Sequence, residues 1–405
     1  MRDRFQQKST SRLQSFCLLL LICLGQIFIQ ASAADARASS GCTADLGMAV
    51  ECDLEGLLMS DIQTVGSHNS YKLAIPEAEL ELIRQFNPRS ALTLDYSHLS
   101  LDEQLNLGLR QLELDILYDP EGGRYATPLL PRLAAGEKKA DFDSSELDEP
   151  GFKVLHAQDI DVRSSCATWV KCLIQIRTWS DANPSHVPLL IMFNAKEGGS
   201  SYPGTTEALR FTPRAYEQLE AEILSVFPIS RIITPDEVRR GRATLREAVL
   251  ELGWPSLEES LGRVFFALDE GQEKVEIYLG ENHAAQGKLI FPNSVSETAD
   301  HAAYFTLNSP VRDQMRIQEA VAAGFMVRTR ADANTFEARE NNIETREAAF
   351  RSGAQYISTD YYVPRREFSD YSVRLPGGAA ARCNPVRRPL HGTGCGGIGN
   401  STPSL

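Results

Sequence analysis

Short apolar runs of strand length recur along this chain with helix-sized stretches between several of them, and that alternation restricts the fold more than any other feature. The runs fall at 62–66, 111–117, 153–156, 189–193, 263–268, 324–328 and 355–358, with helical segments at 168–180 and 213–226. Such a succession argues for a parallel sheet wrapped by helices. No Gly-x-Gly-x-x-Gly turn is present, which removes the usual dinucleotide-binding arrangement. The expected fold is therefore α/β, an irregular (β/α)8 barrel of TIM type forming a single domain with loop insertions.

The chain starts with Arg2, Arg4, Lys8 and Arg12, continues into an apolar stretch at 16–29 and reaches Ala31-Ser32-Ala33. Basic start, apolar core and small-x-small site predict a secretory signal peptide over 1–33, cleaved after Ala33. The apolar core is shorter than the roughly 20 residues that a membrane span requires. Secreted or periplasmic localisation follows. Removing the leader takes the formal net charge from -13 to about -16, which argues against nucleic acid as a partner.

Cys17 and Cys23 leave with the leader, and the remaining cysteines fall into close pairs: Cys42 with Cys52, Cys166 with Cys172, Cys383 with Cys395. An oxidising compartment favours disulfides within each pair, although spacing alone leaves the connectivity open. No Cys-x-x-Cys pair supports zinc. The expected organisation is an N-terminal extension at 34–60, a barrel at 61–375 and a Gly/Pro-rich tail at 376–405. Residues 121–150, rich in Gly, Pro and charge, read as a long loop or insertion.

Chemistry gathers at the ends of the apolar runs. Alternate residues of a strand share a face, so Glu113 and Asp115 point together while Leu112, Leu114 and Ile116 take the other side. Two adjacent carboxylates suit a hard cation, which favours both ionised forms. His68 and Asn69 follow the first run, and His156 follows the third. Active sites of α/β barrels lie where strands end. After the fourth run Asn194 and Lys196 share a face, the first as an oxygen ligand and the second as a phosphate contact; Arg328 and Arg330 do the same further on, with guanidinium groups suited to phosphate. Asp269 ends another run, while His98, His186, His283, His301 and His391 stand away from strand ends and read as structural or surface residues.

The segments Ser67-His68-Asn69-Ser70-Tyr71-Lys72, Leu112-Glu113-Leu114-Asp115, Val154-Leu155-His156, Cys166 through Asn183-Pro184 and Tyr356-Ile357-Ser358-Thr359-Asp360-Tyr361-Tyr362 resemble, in this order, the secreted calcium-dependent phosphatidylinositol-specific phospholipases C. The resemblance spans 62–362. It implies cleavage of the glycerol–phosphate bond of a phosphoinositide to diacylglycerol and a cyclic or linear inositol phosphate. By similarity His68 bonds the phosphoryl oxygen and His156 is the general acid, as suits histidine. Asn69, Glu113 and Asp115 match the calcium ligands, with Asn194 where animal relatives carry a carboxylate. That departure leaves magnesium as an alternative to calcium. Glu113 doubles as base, and Lys196, Arg328 and Tyr362 are the expected substrate contacts.

The expected partners are a phosphoinositide or related phosphodiester and, transiently, a membrane surface met by apolar rim loops, with the protein as a monomer. A glycerophosphodiester phosphodiesterase or sphingomyelinase D-like enzyme would use the same barrel chemistry on another head group. A secreted calcium- or carbohydrate-binding protein with a decayed site is the reading outside catalysis.

Overall fold

The computed structural model describes residues 56–388 apart from 137, 139, 140, 200 and 201. The expected leader, Cys42, Cys52 and Cys395 lie outside the described residues. Among the described residues are the strands β1 Ile62–Ser67, β2 Gln111–Leu117, β3 Lys153–Val154, β4 Leu189–Lys196, β5 Val264–Leu268, β6 Ile290–Pro292, β7 Tyr304–Thr306, β8 Met326–Arg330, β9 Tyr356–Thr359 and β10 Arg382–Cys383. They form two sheets, ordered β10-β1-β9-β8-β7 and β3-β2-β4-β5-β6. Every pairing is parallel except β10 on β1 and β3 on β2.

The sheet edges meet at two seams, giving an irregular α/β barrel. Asn293 bridges to Tyr304 between β6 and β7. Between β1 and β2, the Arg110 amide donates to the Val65 carbonyl at 2.8 Å and Gln111 Nε2 to the Ser67 carbonyl at 3.0 Å. Gly66 makes this second seam possible, because a Cβ there would stand 2.3 Å from Gln111 Oε1 and 2.5 Å from its carbonyl oxygen.

The helices cap as their sequences direct. Thr168 accepts from the Lys171 amide to start Trp169–Ala182, and Thr212 from the Ala215 amide before Pro213–Val226, with proline in the first turn. Leu112, Leu114 and Ile116 of β2 join one large core with Trp169, Phe193 and Phe266. The carboxylates between them therefore face the opposite side.

The structure refines the sequence reading at four places. The run at 153–156 supplies only two strand residues and lies antiparallel to β2. β6 and β7, three residues each, are too short to show a period of two in the sequence. The region 121–150 contains the helix Leu129–Ala135 and a 3-10 turn at Ser145–Leu147, anchored by buried Leu130 and Leu147. Up to residue 388 the tail is part of the fold, since Asn384 Nδ2 donates to the Gly353 carbonyl at 2.6 Å, and Arg387 and Arg388 grip Asp61 at 2.7 and 3.0 Å.

The Cys166–Cys172 disulfide is formed, with sulfurs 2.12 Å apart. Cys383 is also disulfide-bonded.

Replacing Gly66 with alanine should destabilise the protein by about 1–3 kcal/mol, the usual cost of overfilling a packed site. Gly199→Ala, where nothing stands within 4 Å of the added Cβ, should stay within about 0.5 kcal/mol. Chemical denaturation of the two variants beside the parent protein measures the difference.

Candidate active site

The chain leaves β1 through Asn69, whose φ of 46° is a left-handed conformation that asparagine tolerates. The turn is fastened to β2 in both directions: the Ser70 amide donates to the Glu113 carbonyl at 2.9 Å, and the Glu113 amide donates to Ser70 Oγ at 2.8 Å. Ser67 Oγ donates to Gln104 Oε1 at 2.6 Å, and Gln104 Nε2 donates in turn to the Ser70 carbonyl at 2.6 Å. His68 is thus presented on a braced loop at the mouth of the barrel.

His68 Nδ1 lies 2.9 Å from Asp360 Oδ1, and its Nε2 lies 3.8 Å from Glu113 Oε1. Arg330 approaches both ring nitrogens at 3.3 Å, which places its guanidinium across the imidazole face. Burial lowers the His68 pKa from its ordinary value, Arg330 lowers it further, and Asp360 and Glu113 pull the other way. Despite burial, Asp360 is held well below the usual carboxylate range by His68, His98 and Arg330. His98 supports the same centre from behind, its Nε2 donating to the His68 carbonyl at 2.7 Å and standing 3.7 Å from Asp360 Oδ1.

Beside this centre lie the paired carboxylates of β2. Register sets Asp115 opposite Asn194 and Leu117 opposite Lys196 on β4. Arg328 binds Glu113 Oε2 and also reaches Asn308. Lys196 Nζ stands 3.0 Å from Asp115 Oδ2. Asn194 donates through Nδ2 to the Asp269 carbonyl. Both cations expected to meet phosphate therefore face the barrel's own carboxylates.

The second histidine sits beyond this pair. His156 Nδ1 is 2.8 Å from Asp161 Oδ2, and the buried Lys72 ammonium is 3.4 Å from the same oxygen. Burial works to raise the Asp161 pKa, but Lys72 and His156 outweigh it and the net displacement is downward. Tyr71 feels both Asp115 and Asp161 in addition to its burial, and its hydroxyl is driven well above the ordinary value. That shared neighbour joins the His156 centre to the acidic pair.

Tyr362 is only 3 % exposed; it stacks on His98 at 5.5 Å and its hydroxyl accepts from the Leu99 amide at 3.0 Å. It backs the His68 centre as packing. Sequence reasoning assigned no role to Asp360 or Asp161, and it set His98 aside as structural or surface. His98 precedes a helix with no apolar run to mark it, and Asp161 follows a turn after His156. Asp360 alone carried a usable signal, being the first residue past β9 in a quoted motif.

Histidine–aspartate pairs around buried carboxylates, on this barrel, suit acid–base cleavage of a phosphodiester. The description of phosphoinositide phospholipase C, Ca2+-dependent, matches residues 57–385, and the chain belongs to that family. Among solved structures, the calcium-dependent phosphoinositol-specific phospholipase C of a Gram-negative Pseudomonas species, in its apo form, is 17% identical, with 84% of this chain and 99% of that one covered at a TM-score of 0.50. This likeness speaks for a shared fold. The calcium-dependent phosphatidylinositol-specific phospholipase C of Streptomyces antibioticus is also 17% identical, over 76% of this chain and 96% of its own, with a TM-score of 0.47. No curated protein matches the chain.

Among the described residues no three His, Cys, Asp or Glu side chains gather as a metal cluster. The candidate donor set is instead two carboxylates and an amide, and it suits calcium, a cation that prefers oxygen. Both Asp115 oxygens are buried, with the Lys196 ammonium and the Tyr71 hydroxyl as their polar neighbours. Asn69 spends Nδ2 on the Tyr96 hydroxyl at 2.7 Å, which leaves its Oδ1 for another partner.

The charges around His68 set the direction of its titration. In Arg330→Met the ring should titrate at a higher pH than in the parent protein, because a lowering charge is gone; in Asp360→Asn it should titrate lower, because a raising charge is gone. Histidine NMR shifts followed against pH check both signs.

Proposed function

We propose that the mature chain cleaves the glycerol–phosphate bond of phosphatidylinositol in a calcium-dependent reaction, releasing diacylglycerol and a cyclic inositol phosphate that water can then open. The observation that carries this reading is the pair of histidine–carboxylate couples, His68–Asp360 and His156–Asp161, flanking Glu113 and Asp115. Cyclisation needs one proton removed from the attacking inositol hydroxyl and another delivered to the leaving glycerol oxygen. Two separately held imidazoles meet that requirement.

The tautomer of His68 favours a base. Its Nδ1 faces the ionised Asp360 and so carries the hydrogen, while burial and Arg330 keep the ring neutral; Nε2 then offers a lone pair. This differs from the hydrogen-bonding role implied by similarity. Glu113, with one oxygen bound by Arg328, is better suited to charge placement than to taking the proton. His156, oriented through Nδ1 by Asp161, presents Nε2 as the acid toward the glycerol oxygen. Arg330 lies where it can donate to a phosphoryl oxygen held near His68.

Asn69, Glu113 and Asp115 are the residues that would hold calcium, which when bound polarises the phosphate as a Lewis acid. Apolar side chains of the segment after β1, Leu73, Phe86, Leu92 and Leu99, are exposed and fit a transient contact with a lipid surface. The leader read over 1–33 supports a secreted or periplasmic setting, and the acidic charge disfavours nucleic acid as a partner.

Purified mature protein should turn over phosphatidylinositol in mixed micelles when calcium is present and stop when chelator is added. His68→Ala and His156→Ala should each lower kcat by about 10²–10⁴-fold in samples that circular dichroism shows to be folded at the assay temperature. Phosphorus NMR should show a cyclic inositol phosphate appearing first. Undiminished activity in both variants, or release of glycerol phosphate or choline instead, would overturn the proposal.

A further inference from the structure

Asp115 is paired with a cation of the chain itself, Lys196. Asp115 is 1 % exposed, the Lys196 ammonium stands 3.0 Å from its Oδ2, and its other polar neighbour is the uncharged Tyr71 hydroxyl. A buried carboxylate left without a compensating charge is costly. Lys196 supplies that charge from β4, two residues past Asn194, and it also feels Glu113 and Glu270. Its side chain is 36 % exposed although the ammonium is turned inward to Asp115, so the stem borders solvent and the head has an outward path.

Counting charge shows what a divalent ion would meet. Glu113 is already matched by Arg328 and Asp115 by Lys196, so the pair is neutralised before any metal arrives. Asn194, opposite Asp115 in the register, adds no negative charge. Arg328 is fully buried and tied to Asn308 as well. Lys196 is the cation that can yield.

We infer that Lys196 is a built-in competitor for the divalent ion: its ammonium holds Asp115 in the metal-free protein and must leave for the ion to bind, so this one residue sets cation affinity. The inference rests on the reading that Asn69, Glu113 and Asp115 form the cation site. A ligand that binds only the fraction of molecules whose site is open loses apparent affinity by that fraction. Removing the competitor therefore tightens binding even though no ligand atom is added.

Calcium binding to the full mature protein, measured by calorimetry without lipid, tests this. Lys196→Met should bind calcium about tenfold or more tightly than the parent. Lys274→Met, which removes the same charge from a neighbour paired with Glu270 at 3.0 Å, should gain much less, since its ammonium is held by Glu270 and the Ala195 carbonyl and not by Asp115. In chelator Lys196→Met should melt below the parent, and calcium should raise its Tm by more. If Lys196→Met does not survive purification, Lys196→Gln, neutral yet able to donate to Asp115, carries the same expectation. Equal affinities in the parent and both Lys196 variants, or equal gains at Lys196 and Lys274, would overturn the competitor while leaving the cation site standing. No calcium binding by any variant would bring down the site itself and the competitor with it.

Discussion

Four carboxylates, Glu113, Asp115, Asp161 and Asp360, are taken out of water around one end of this barrel, and the surrounding structure is organised by the need to balance them. Each has its own positive or hydrogen-donating partner. Arg328 serves Glu113, Lys196 serves Asp115, Lys72 and His156 share Asp161, and His68 with Arg330 meets Asp360. A buried ion pair contributes little net stability and is costly to break on one side. What such pairs contribute here is fixed position: the two imidazoles are oriented because the acids beside them must be satisfied.

The strand ends were legible because they carry a local signal. An apolar run followed by His68-Asn69, by His156 or by Asn194-x-Lys196 can be seen in the sequence, and a period of two places Glu113 and Asp115 on one face without any coordinates. What local pattern cannot supply is the partner. Arg328 and Lys196 look like phosphate contacts when only their chemistry is considered; folding turns them onto Glu113 and Asp115, residues far away in the chain. Asp360 and His98 meet His68 from segments distant in sequence, so nothing near any of them announces the group.

Irregularity in the barrel has the same origin. β1 and β2 do not form an ordinary ladder, because Gln111 turns into the space left by Gly66 and the chain binds through Arg110, Ser70 and Gln111 instead. That seam lets residues 68–72 lie across the mouth of the barrel, bringing Tyr71 beside Asp115. A fully laddered β1 and β2 would have no place for them.

The first strand of the barrel also takes its partners from the far end of the chain. β1 pairs with β9 and β10, and His68 at its tip meets Arg330 and Asp360. Contacts so remote in sequence close late in folding, after a large loop entropy has been overcome. An emerging polypeptide therefore carries its imidazoles long before it carries a complete centre, because His68 waits for Arg330 and Asp360 to arrive.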